Sequence, residues 1–120
     1  MYNQRDIVLI PIPFTDLSSN KKRPVIIVSN DNYNKSNLDI VVVALTSNLI
    51  FENKYCIDID NHNLEEGKLP QKSRIRCDKI YTLSKNIVVK KFNKVNKETY
   101  ELIKQKISSL LELTDDKNES

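Results

Sequence analysis

Basic side chains gather at three places in this chain, as Lys21, Lys22 and Arg23, as Arg74, Arg76 and Lys79, and as Lys90 with Lys91. Such clusters can meet a phosphate backbone. The net charge is only +3, however, and basic residues on solvated strand faces are common in proteins that bind no nucleic acid, so charge alone favours a solvated surface. Thr46 and Ser47 close an apolar run, where hydroxyls ordinarily tie down a turn. The one histidine, His62, would be the first suspect for proton transfer near neutral pH. It lies in the polar stretch NHNLEEG without a partner pattern and reads as an exposed loop residue. Phe14, Tyr33, Phe51 and Tyr81 can stack on unpaired bases. Phe14 is the best placed, since it opens the stretch leading to Arg23, yet core packing is the ordinary role of each. Cys56 and Cys77 are too few and too far apart for a disulfide framework or a zinc site, and read as reduced, strand-borne core residues.

Positioning any of these groups needs a core, and 120 residues supply enough for one, with 39% hydrophobic and 29% charged side chains in globular proportion. No apolar run is long enough to span a bilayer, and the start MYNQRDIVLIPIPF has neither a basic leader nor a small-residue cleavage site. A cytoplasmic protein with no membrane segment is expected. The pattern predicts a first strand over Asp6 to Ile12, set by Pro11 and Pro13 near a sheet edge or a strand end. A polar loop, Thr15 to Lys22, follows. Arg23 to Asn30 and Leu38 to Leu45 carry VIIV and IVVVAL, β-branched runs that suit central strands. The segment NDNYNKSN between them is turn-rich, with room for one helical turn.

Lys54 to Ile59 alternates as a strand, and Asn61 to Lys72 reads as a loop holding Gly67 and Pro70. Arg74 to Leu83 and Ile87 to Val95 are two strands joined near Ser84 to Asn86. From Asn96, a good N-cap, Tyr100, Ile103, Ile107, Leu110 and Leu111 recur at helical spacing, which predicts one amphipathic helix ending near Leu113. Residues 1–113 form the expected domain, and 114–120 a frayed tail. The fold class is mainly β with a C-terminal helix, a small, partly open barrel, an architecture that by itself selects no function.

Three local patterns make that selection. DIVLIPIPFTDLSSNKKRPVIIVSND resembles the opening of the MazF/PemK toxins, with a strand, a loop ending in Arg-Pro and a second strand ending in Ser-Asn-Asp. DIVVVALTSN is similar to their third strand with its terminal Thr-Ser. SRIRCDKIYTLSKNIVVKKFNKVNKETYELIKQKISSLLEL resembles their closing strand pair and helix. The matches run in family order from Asp6 to Leu113, which is more specific than any one of them. One departure stands out. The family usually has glycine just before the first Asp-Ile/Val, where this chain has Arg5, and the expectation is a change in entry geometry or RNA contact.

The resemblance implies a small barrel of the MazF/PemK/CcdB type and a toxin of a type II toxin-antitoxin system. It further implies a sequence-selective endoribonuclease that cleaves single-stranded RNA without a metal or other cofactor. In that chemistry the ribose 2′-hydroxyl attacks the adjacent phosphate, leaving a cyclic phosphate and a free 5′-hydroxyl. Arg23 matches the family's essential arginine, whose planar, permanently charged fork suits two phosphate oxygens. Thr46 matches the active-site threonine and, with Ser47, would hydrogen-bond the scissile phosphate. A guanidinium with a pKa above about 12 is a poor base, so the general base stays open, with Asp16 as a candidate. Phe14, Asp16, Lys21, Lys22, Arg74, Arg76 and Lys79 are the expected RNA contacts, and loops Phe14 to Lys22, Leu49 to Lys54 and Asn61 to Lys72 would choose bases. The expected partners are a second copy of the chain and an antitoxin with an acidic, disordered tail. The competing reading is a noncatalytic toxin or binding module on the same fold, a CcdB-like gyrase poison or an RNA binder. The presence of both Arg23 and Thr46 favours the nuclease.

Overall fold

The computed structural model describes residues 1–11, 21–50 and 52–115. In chain order these form β1 (Asp6–Pro11), β2 (Lys22–Ile27), the short helix α1 (Asp31–Ser36), β3 (Asp39–Thr46), β4 (Cys56–Ile59), β5 (Leu64–Glu66), β6 (Ser73–Ser84), β7 (Lys90–Val95) and the closing helix α2 (Lys97–Leu110). All strand pairs are antiparallel, in one half-barrel sheet of order β4-β6-β3-β2-β1-β7-β5. The β-branched strands β2 and β3 lie in its interior, as their composition predicts.

Alternation divides these strands between two cores. Ile7, Ile26, Val43, Leu45, Ile75 and Val95 lie on one face and pack with Ile103 of α2. Val8, Ile10, Val25, Ile27, Ile40 and Val42 lie on the other, covered by Tyr2, Tyr81, Leu83, Ile87 and Val88. With both faces buried, the central strands need apolar residues at every position, which is why they read as unbroken runs.

Several local expectations change. β1 runs between β2 and β7, so Pro11 marks a strand end and not a sheet edge. Pro24 is accommodated in β2 because the ladder to β3 begins one residue later, at Val25 opposite Ala44. The stretch expected as a bare loop holds a 3-10 turn at Asn61–Asn63 and the edge strand β5. Its polarity hid it, since an edge strand of sequence LEE has little to bury. α1 starts at Asn30, whose side chain accepts the Tyr33 N–H at 2.8 Å. α2 begins as expected, the Asn96 side chain accepting the Thr99 N–H at 2.9 Å, but ends at Leu110. Leu111 and Leu113 are 72% and 96% exposed, so among the described residues nothing rewards further helix.

Arg5 has φ 79°, the left-handed conformation that glycine adopts freely and other residues at a cost of about 1–2 kcal/mol. The entry geometry is therefore glycine-like despite the substitution. The side chain turns inward to the protein, donating from Nη1 to the Val95 carbonyl at 2.9 Å and pairing with Glu65 at 3.1 Å.

Candidate active site

Strand register assembles the site. The β2–β3 ladder ends at Val25 opposite Ala44, and just beyond it Arg23 and Thr46 line the same cleft. Thr46 lies opposite Arg74 of β6, and Arg74 opposite Asp58 of β4. The four residues gather near the strand ends. Directly opposed side chains share a face, with Cβ atoms about 4.5–5.5 Å apart.

The four residues differ in what holds them. Arg23 is exposed, and among the described residues no carboxylate or other acceptor engages its guanidinium. Thr46 is half-buried; its Oγ1 accepts the Asn48 N–H at 3.0 Å, and Asn48 Oδ1 accepts the Ile50 N–H at 3.0 Å. Thr46 does tie down a turn, yet a hydroxyl that accepts one bond keeps its own proton to donate. Ser47, next along, is exposed. Arg74 is buried, its Nε and Nη2 on the two Asp58 oxygens at 2.5 and 3.2 Å.

A cleft of about 580 Å³ wraps these strand ends, with Lys21, Lys22, Arg23, Thr46, Ser47 and Lys90 among its polar lining. Leu9, Leu45, Leu69 and Phe92 give it an apolar floor, and Pro70, Gln71 and Ser73 a wall. Leu9 and Leu45 belong to the α2 side of the sheet by alternation, and Arg23 and Thr46 to the opposite side, so the cleft draws on both.

The three basic clusters are thus sorted by their neighbours. Arg74 and Arg76 are committed to Asp58 and Asp78, with Arg76 Nε and Nη2 each 2.8 Å from an Asp78 oxygen. Lys91 is 3.2 Å from both Asp6 and Glu66. Lys79 is exposed, within the bulge where β6 leaves its register with β3. Lys21, Lys22, Arg23 and Lys90 surround the cleft. The Arg76 hydrogen bonds hold the Asp78 carboxyl down at about 2, against the opposing effect of burial. The hydrogen bond from Arg74 likewise holds Asp58 below the usual carboxylate range.

Phe14, Asp16 and Phe51 lie outside the described residues. Tyr33 and Tyr81 are half-buried, and Tyr81 packs on the second core. His62 has a 95% exposed side chain with Nδ1 3.1 Å from Asp60. Cys77 lies in the core, where burial chiefly pushes its thiol up to about 12, while Cys56 is only half-buried. Sequence reasoning missed the place of Lys90 in the cleft and the carboxylate partners Asp58 and Asp78. Arg76 and Asp78 stand two apart on one strand, a same-face spacing that was available as a signal; the pairing of Arg74 with Asp58 depends on register and had none.

Comparison with curated proteins gives no match. Solved structures share the fold. One is an endoribonuclease in complex with its cognate antitoxin from a mycobacterial species, with TM-score 0.74 and 21% identity over 96% of this chain and 99% of that one. Another is the Mycobacterium tuberculosis toxin MazF-mt6, with TM-score 0.72 and 17% identity over 92% of this chain and 100% of that one. A third is MazF from Deinococcus radiodurans, with TM-score 0.72 and 14% identity over 92% and 96%. A family model described as PemK-like, MazF-like toxin of type II toxin-antitoxin system matches residues 3–111, which include the sheet, the cleft and the closing helix. The chain belongs to that toxin family.

Proposed function

We propose that the protein is a metal-independent endoribonuclease that cleaves single-stranded RNA at selected sequences. The observation that carries this reading is that Arg23 and Thr46 line one lysine-rimmed cleft, a guanidinium with no acceptor among the described residues and a hydroxyl whose proton remains available. The Arg23 fork clamps two non-bridging oxygens of the scissile phosphate, and Thr46 and Ser47 donate hydrogen bonds to it. As the 2′-hydroxyl gives up its proton to water and its oxygen bonds to phosphorus, charge builds on those oxygens and both interactions strengthen. The bond to the 5′-oxygen then breaks, that oxygen takes a proton back from water, and the products are a cyclic phosphate and a 5′-hydroxyl end. Lys21, Lys22 and Lys90 supply the attraction that seats the RNA backbone.

Family membership and the structures of similar toxins with antitoxins support the rest of the reading. Residues 1–113 act as one unit in the cytoplasm, two copies pair, and the antitoxin lays an acidic tail in the RNA cleft, where it meets the same lysines and Arg23.

The test is incubation of a long single-stranded RNA with the protein in EDTA, beside Arg23→Ala and Thr46→Ala. Discrete cuts with 5′-hydroxyl ends are expected, abolished by the first substitution and reduced about 100-fold by the second, the scale of losing one transition-state hydrogen-bond donor. Intact RNA with folded wild-type protein would overturn the reading in favour of a noncatalytic toxin.

A further inference from the structure

Resting on that reading, we infer that Arg74 is a positioning residue that fixes the catalytic turn from beneath, and not an RNA contact. Its side chain is 7% exposed, so RNA cannot reach it. Burying a guanidinium is unfavourable unless its charge and donors are matched, and here they are. Asp58 takes Nε and Nη2, Glu52 lies 3.9 Å from Nη2, and the Leu49 carbonyl accepts from Nη1 at 2.9 Å.

The Leu49 bond is the informative one. Leu49 lies in the turn that follows Thr46 and Ser47, and the described apolar residues there are little buried, Leu49 being 40% and Ile50 91% exposed. Its own short-range bonds, Asn48 N–H to Thr46 Oγ1 and Ile50 N–H to Asn48 Oδ1, give it shape and tie it only to the end of β3. Arg74 ties it to β6 and, through Asp58, to β4. Opposite Thr46 in the register, it binds the edge strand β4 through Asp58 and the turn through Leu49, so the Thr46 hydroxyl keeps its direction toward a phosphate held by Arg23. A lysine has no planar fork and cannot make both connections at once.

The experiment compares wild type, Arg74→Lys, Arg74→Ala, Asp58→Asn and the control Arg23→Ala in two measurements: amide hydrogen exchange, and kcat and KM for cleavage of single-stranded RNA. Arg74→Lys and Arg74→Ala are expected to speed exchange at Asn48 and Ile50 about tenfold while leaving the α2 amides unchanged. They should lower kcat on the order of 10- to 100-fold, the scale of a misplaced reacting group, with KM within about twofold. Asp58→Asn keeps the Leu49 bond and should show a smaller version of both effects, which serves if Arg74→Ala does not fold. Arg23→Ala should abolish cleavage with no change in exchange. Unaltered exchange at Asn48 and Ile50 would overturn the inference, as would a uniform rise across the fold, which makes Arg74 merely stabilising. A raised KM with unchanged kcat would make it an RNA contact after all. If the wild type cleaves nothing, the nuclease reading fails by itself, and the exchange arm still decides whether Arg74 holds the turn.

Discussion

Charge at a strand end becomes useful only when the protein itself leaves it unspent, and the arginines of this sheet differ in that respect. Arg76 is satisfied by Asp78, and Asn53 adds a hydrogen bond to the same carboxylate at 3.1 Å. Because the folded pKa of Asp78 lies near 2, below its value in an unfolded chain, this pair contributes stability above about pH 4 that is lost as pH falls toward 2. Chemical denaturation between pH 5 and 2 should therefore show a steeper loss for wild type than for Asp78→Asn; parallel curves would remove the pair from the account of acid stability. At this scale family motifs in the sequence single out Arg23 and Thr46, and the structure brings both to one cleft. It was opaque where a residue's role depends on its partner. Arg74 and Arg23 look alike in the chain, and only strand register gives one a carboxylate and leaves the other without one among the described residues.

Elements matter here chiefly through the segment between β4 and β6, which lines the cleft with Leu69, Pro70 and Gln71. The Leu69 N–H is held by Asn61 Oδ1 at 2.8 Å. The wall turns at Gly67, whose φ is +84° and where a Cβ would fall 1.7 Å from Asn93 Oδ1 and 2.9 Å from the Phe92 carbonyl. Gly67→Ala is thus expected to cost more than about 1 kcal/mol and to raise KM for RNA by displacing the wall. Thermal unfolding together with cleavage kinetics checks both, and wild-type values in each would show that the segment yields freely. The long elements were readable beforehand. β2 and β3 show as unbroken β-branched runs, and α2 repeats its apolar residues often enough for the helical period to show. β5 was not, and α1 only as room for one helical turn, because a three-residue edge strand and a six-residue helix contain too few positions to display any period and are held by polar caps and by neighbours far along the chain.

For the whole molecule the telling quantity is how positive charge is distributed, since a net +3 conceals a cleft bordered by Lys21, Lys22, Arg23 and Lys90. RNA affinity should fall with salt, and replacing Lys22 or Lys90 by alanine should flatten the log–log slope by about 0.7 for each phosphate that is no longer neutralised. A binding titration across salt concentrations measures it, and an unchanged slope in both variants would place the RNA elsewhere. The half-barrel with a closing helix was legible from the order of periodic segments; its strand order was not, because β6 and β7 are neighbours in sequence yet lie on opposite sides of β3, β2 and β1. That arrangement bears on when such a protein becomes dangerous to the cell that makes it. Arg23, Thr46, Arg74 and Asp58 gather from four different strands. A chain emerging from the ribosome as far as β3 carries Arg23 and Thr46 but nothing to hold the turn beside them. Assembly waits for β6, and pairings this distant in sequence form late and slowly. On the proposed roles of Arg23, Thr46 and Arg74, synthesis precedes potency, and the delay is an interval in which an inhibitor already present can meet a harmless chain.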